Sequence, residues 1–93
     1  NDLTAIGAMQ AAMEVGPTVP GSLSVIGIDD IETSQYTTPM LTTIHIPMED
    51  LGIMTAKVLI DRIETGKRIP MKVELPFRLM KRESCAPPAR IQS

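Results

Sequence analysis

Two adjacent carboxylates, Asp29 and Asp30, close a short apolar, β-branched run from Leu23 to Ile28. A buried parallel strand reads as such a run. Open α/β sheets bind ligands in the crevice at the carboxyl ends of their strands. A carboxylate at that place accepts hydrogen bonds from a polar ligand. The plainer alternative is a turn or a helix cap, a common task for Asp after a strand. The pair does not suit glycoside hydrolysis. Adjacent strand-end residues point apart, and hydrolases need two carboxyl groups facing one bond at about 5–9 Å. His45 is the only histidine, and zinc asks for three or four ligands. It reads as a strand residue, with a peripheral ligand contact as the alternative. Cys85, the only cysteine, stands before Ala86-Pro87-Pro88 without a matched histidine. No nucleophile is paired with a base, so the chain reads as a non-enzyme with no metal site and no cofactor.

The elements that must position these residues follow from caps and periodicity. Asn1 or Asp2 is a good N-cap for a helix reaching about Val15, stopped by Gly16-Pro17. Its apolar residues Leu3, Ile6, Met9 and Met13 lie beside small ones, Ala5, Ala8 and Ala12. The strand Leu23–Ile28 comes next, then a loop with one helical turn near Glu32–Tyr36, then a second strand, Leu41–Ile46. Pro47 opens a second helix, where its missing N–H costs nothing. Glu49 and Asp50 suit the positive end of its dipole, and Gly66 is its C′ residue. The apolar positions of this helix cover more than half its circumference, so it should bury more than one side. Two β segments are expected beyond it, Met71–Leu75 and Phe77–Arg82, broken by Pro76. Arg82 and Glu83 read as an exposed ion pair or as a link from the last strand to its neighbour. Residues 86–93 read as a tail.

Composition narrows the class. At 93 residues, one small domain is the upper bound. One Phe, one Tyr and no Trp leave seven Met to supply bulk. A chain this short buries only about 60–65% of its unfolded surface, so a partner surface is expected. The net charge of −2, without a cluster of basic residues, speaks against a nucleic-acid surface on this segment. A single cysteine forms no internal disulfide, and no apolar run reaches the ~18 residues that span a bilayer. A soluble cytoplasmic protein without membrane contact is the simplest reading.

Four blocks together resemble the Lac/Gal repressor (LacI/GalR) family of transcription regulators. Val25, Gly27, Ile28, Asp29 and Asp30 stand where the family has V-x-G-[YFI]-D-[DN]. Tyr36, Pro39, Leu41, Thr42, Thr43 and Ile44 stand where it has Y-x-x-P-x-L-T-T-[IV]. Upstream, Asn1 to Met9 resembles N-D-x-x-A-x-G-[AV]-[LM]. Downstream, Leu51-Gly52, Ala56, Leu59 and Lys81-Arg82-Glu83-Ser84 continue the match. Ile46 and Met48 are apolar where some relatives place a polar or aromatic pocket residue.

The resemblance implies an α/β fold, a fragment of the two-lobed periplasmic-binding-protein-like type, with a parallel sheet and flanking helices. Residues 1–85 would form the C-terminal portion of an effector-binding domain, holding pieces of both lobes and completing neither. Residues 1 to about 43 would belong to the C-terminal lobe, the second helix and the β segment after it to the other, and the last strand would return. A helix-turn-helix domain contacting operator DNA would lie upstream. The resemblance assigns Asp29 to an effector pocket, where a small molecule, most often a sugar, binds. It leaves Asp30 as a local cap and gives Asn1 two readings, N-cap and pocket residue. It places Tyr36 near a homodimer contact, together with a patch formed by Ala5, Ile6 and Met9. The alternative is a periplasmic sugar-binding protein of an uptake system with the same fold.

Overall fold

The computed structural model describes residues 1–68 and 70–88. They divide into two compact units, one of Asn1–Ile46 with the segment from Arg78 onward, the other of Pro47–Phe77. The expected tail lies outside the described residues from position 89 on.

In the first unit, helix α1 runs Asp2–Val15. The Asn1 side-chain oxygen accepts from the Thr4 N–H at 2.9 Å, satisfying one of the orphan donors of the first turn. Gly16, at φ +137°, ends the helix with its N–H on the Ala12 carbonyl. Strand β1 is Ile26–Asp29, strand β2 is Thr42–His45 and strand β3 is Arg78–Met80. A 3-10 turn, Glu32–Gln35, lies within the crossover from β1 to β2. The sheet order is β1-β2-β3. β1 and β2 are parallel with Ile26 opposite Thr42 and Asp29 opposite His45. β3 runs antiparallel to β2, with Leu79 opposite Ile44. The sheet is therefore mixed, its parallel pair carrying Asp29.

α1 covers one face of this sheet. Asp2, Ala5 and Met9 form its buried stripe, spaced by three and four residues as one helix face requires. Ala5, Met9, Val19 and Leu41 make the core, with Ile6 and Val25 packed against it. Gly27 is where the helix meets the strand: a Cβ there would collide with the Asp2 carboxylate and Leu41. Ile26 and Ile28 remain about half exposed.

The strands are shorter than the apolar runs suggested. Leu23 to Val25 is not ladder because pairing with β2 begins only at Ile26. Val25 instead donates to the Ser84 carbonyl, and the Ser84 hydroxyl donates to the Val25 carbonyl at 2.6 Å. Ser84 Oγ also accepts from the Thr42 N–H, so Ser84 ties the start of β2 to the residue before β1.

The second unit holds helix α2, Met48–Thr65. Pro47 caps its start, and the Leu51 N–H reaches the Pro47 carbonyl at 2.9 Å. Gly66 closes it in the left-handed region at φ +67°. No residue of α2 is buried. Leu51, Met54, Val58 and Leu59 line a shallow cleft with Met71 and Val73. The expected strand Met71–Leu75 is not formed. A strand exists only as a ladder, and no described strand of this unit offers it a partner. Among the described residues, no helix is long and apolar enough to cross a membrane.

Candidate functional site

β1 ends in two residues with positive φ, Asp29 at +121° and Asp30 at +58°. Neither is glycine, and a non-glycine residue in such a region carries a cost on the order of 1–3 kcal/mol that surrounding structure must over-determine. Asp tolerates the left-handed region better than most residues, so the strain is concentrated at Asp29.

Asp30 supplies the over-determination. Its N–H donates to Thr43 Oγ1 at 3.3 Å. One carboxylate oxygen accepts from Arg82 Nη2 at 2.5 Å, and the other meets His45 Nδ1 at 2.9 Å. The Asp30 side chain is 9% exposed and that of Arg82 12%. Burial alone would raise the Asp30 pKa. Hydrogen bonds and charge attraction from Arg82 and His45 outweigh it, and the carboxyl titrates below its ordinary value. Arg82 is itself fixed, donating through Nη1 to the Leu41 carbonyl and through its backbone N–H to Thr42 Oγ1, both at 3.0 Å. Asp30 is thus not the local cap read from the sequence. It joins β1, β2 and the segment after β3, and Arg82 is the link from the last strand rather than an exposed ion pair.

Asp29 is half-buried, and its carboxylate receives no hydrogen bond among the described residues. It sits beside His45 in the ladder, at the carboxyl end of the parallel pair. His45 is a strand residue whose ring is committed to Asp30, with 37% of its side chain exposed.

The N-terminus of α1 comes to the same end of the sheet through Asp2. Asp2 is fully buried. It accepts from the Ile31 N–H at 2.8 Å, from the Ser34 hydroxyl at 2.6 Å and from the Thr43 hydroxyl at 2.6 Å. From the sequence, Asp2 reads only as an alternative cap. Its burial depends on residues about thirty to forty positions away, which local patterns do not report. Asn1 stands beside it, exposed, with its side-chain oxygen used as the cap. Its amide nitrogen has no hydrogen-bond partner among the described residues.

The expected apolar contact patch divides. Ala5 is 8% exposed and Met9 1%, both turned into the chain's own core. They are core residues and not the expected surface patch, because close approach of α1 to β1 consumes that face. Ile6 is partly buried and Tyr36 is 74% exposed at the end of the 3-10 turn. Among the described residues no group of three His, Cys, Asp or Glu could hold a metal ion.

Asp29 thus stands at the carboxyl end of a parallel strand pair, the end at which open α/β sheets bind ligands. The sequence matches the periplasmic binding protein-like domain family over residues 1–85, and the chain belongs to that family. Its relatives include transcription regulators. It is 44% identical over 85 residues to the HTH-type transcriptional repressor PurR of Escherichia fergusonii, covering 91% of this chain and 25% of that protein. A LacI family transcriptional regulator from Enterococcus faecium, solved with bound ribose, superposes with a TM-score of 0.80 at 40% identity, over 94% of this chain and 32% of that one. The lac repressor dimer bound to operator and the anti-inducer ONPF superposes with a TM-score of 0.80 at 36% identity, over 91% and 29%. The chain thus spans about a quarter of the length of the curated relatives it matches.

Proposed function

We propose that this chain is the C-terminal part of the effector-binding domain of a LacI-type transcriptional repressor. It holds pieces of both lobes, a reading supported by the division of the described residues into two compact units. Asp29 is the residue that contacts the effector, a small polar molecule of the sugar class. The observation that carries this is its carboxylate, half-buried and without a hydrogen-bond partner among the described residues, at the carboxyl end of β1. A carboxylate accepts from two hydroxyls at once, which suits vicinal hydroxyls of a sugar. Asn1 contributes through its free amide nitrogen. The ribose bound by the Enterococcus faecium regulator supports this ligand class.

The mechanism is allosteric and involves no reaction. The effector binds at the end of β1 and favours one conformational state of the domain over another. It does so only by its differential affinity for the two states. In a homodimer that shift changes the spacing of two DNA-binding heads supplied upstream, and so the affinity for operator DNA. The dimer contact includes Tyr36 and the exposed side of α1 near Ile6, and the protein works in the cytoplasm. The test is selection of duplexes from a random DNA pool with the complete protein, followed by titration with candidate sugars. Recovery of a palindromic site whose affinity changes with one sugar is the expected outcome. No selected site, or a site indifferent to every effector that binds, contradicts the repressor.

A further inference from the structure

We propose that Asp30, held between Arg82 and His45, is the positioning residue for Asp29. This rests on the reading of Asp29 as the effector contact and explains how that contact is aimed.

The strained backbone belongs to one residue and its anchors to the next. Asp29 stands at φ +121°, yet its own side chain takes no hydrogen bond among the described residues. On its N-terminal side, Ile28 is held only by the regular ladder opposite Ile44. On its C-terminal side, Asp30 is gripped at its amide by Thr43 and at both carboxylate oxygens by His45 and Arg82. His45 is also the ladder neighbour of Asp29. The grip therefore closes a small ring, from Asp29 across the ladder to His45, along its ring to the Asp30 carboxylate and back through one peptide. Such a ring leaves the 29–30 peptide little freedom. Arg82 completes it from a third segment and is fixed to the Leu41 carbonyl.

The arrangement divides labour between neighbours. Asp30 turns inward and is neutralised by a guanidinium. Asp29 is left without a partner among the described residues and held in a conformation that an unbraced Asp would abandon. A preorganised acceptor needs no rearrangement when a ligand hydroxyl arrives, and holding it by a second layer is what makes such an aim reproducible. Asp2 anchors Ile31 one residue further on. That bond keeps the loop attached when Asp30 is altered, so removing the grip should relax the 29–30 peptide without detaching the crossover.

The test uses the complete protein carrying this chain. Crystal structures of Asp30→Asn and of the milder Arg82→Lys are compared with the wild type. D-ribose is titrated into both variants, into Asp29→Asn and into the double variant Asp29→Asn/Asp30→Asn. The expected result is that residue 29 leaves its positive φ for an extended one. Affinity for ribose then falls roughly tenfold in Asp30→Asn, and the double variant is no weaker than Asp29→Asn alone. Residue 29 keeping its positive φ in both variants would overturn the proposal, whatever the ligand. So would an equal further loss in the Asp29→Asn background, which a generally structural Asp30 would produce. A relaxed φ with ribose affinity unchanged by Asp29→Asn upholds the positioning of the backbone and removes the effector contact instead.

Discussion

Thr43 donates its hydroxyl proton to Asp2 at 2.6 Å, which ties the first turn of α1 to the middle of β2. The same carboxylate takes the Ile31 N–H and the Ser34 hydroxyl. Helix, crossover and parallel strand thus converge on one buried side chain, against Gly27 of β1. Replacing it by alanine would strand three donors in a buried place. Asp2→Ala is expected to destabilise the first unit by about 3–5 kcal/mol. Equilibrium denaturation by urea checks this. A loss below about 1 kcal/mol would mean that water replaces the carboxylate freely.

Asp30 makes stability depend on acid. Its pKa is lower in the fold than the ordinary 3.8 because Arg82 and His45 favour the ionised form over the burial that opposes it. The unfolded chain therefore binds its proton first as pH falls, and stability falls with pH wherever the unfolded state holds more protons. The Asp30 contribution is complete above pH 3.8 and is lost as pH drops through the lower, folded value. Melting temperature measured from pH 6 to pH 2 should fall less steeply at the acid end in Asp30→Asn than in the wild type. Parallel curves would show that the Arg82 pair is not maintained in solution.

Gly27 is a sharper test of how closely α1 lies on β1. A methyl group there meets the Asp2 carboxylate and the Leu41 side chain, neither free to withdraw from a filled core. Gly27→Ala is expected to cost about 1–3 kcal/mol as an overpacked site. A variant as stable as the wild type in the same urea titration would mean that α1 is not seated against the strand.

What could be read from the sequence was what local chemistry determines. Asn1 caps α1, Gly16 and Gly66 stop their helices and Pro47 precedes α2 because each acts on backbone groups within one turn. The strand carrying Asp29 was legible from its β-branched run, though its ends were not, since a ladder ends where its partner does. The inward face of α1 was not legible either. Leu3, Ile6, Met9 and Met13 offer apolar material in several directions, and only contact with Leu41 and Val19 selects Ala5 and Met9. The Asp30–Arg82 bond spans 52 positions. Neither residue type announces such a partner, so a carboxylate that braces the site looked like a simple cap.

The exposed apolar side chains have a consequence for the 93-residue chain by itself. Ile26, Ile28 and Leu79 stand on the sheet, and Leu59, Ile60 and Ile63 on α2, each between 48% and 72% exposed. Apolar surface of that extent is a protein contact surface. Sedimentation at micromolar concentration should show self-association. A well-behaved monomer with cooperative unfolding would mean that the two units satisfy their own faces in solution.

An effector held by Asp29 is detected by calorimetric titration of D-ribose into the complete protein and its Asp29→Ala variant. Loss of a hydrogen bond to a charged acceptor should weaken binding by about 1.5–3 kcal/mol, roughly ten- to a hundredfold. The unfolding midpoint should stay nearly unchanged, because the Asp29 carboxylate makes no hydrogen bond within the described chain. Saturable ribose binding of equal affinity in both proteins would move the effector away from the end of β1.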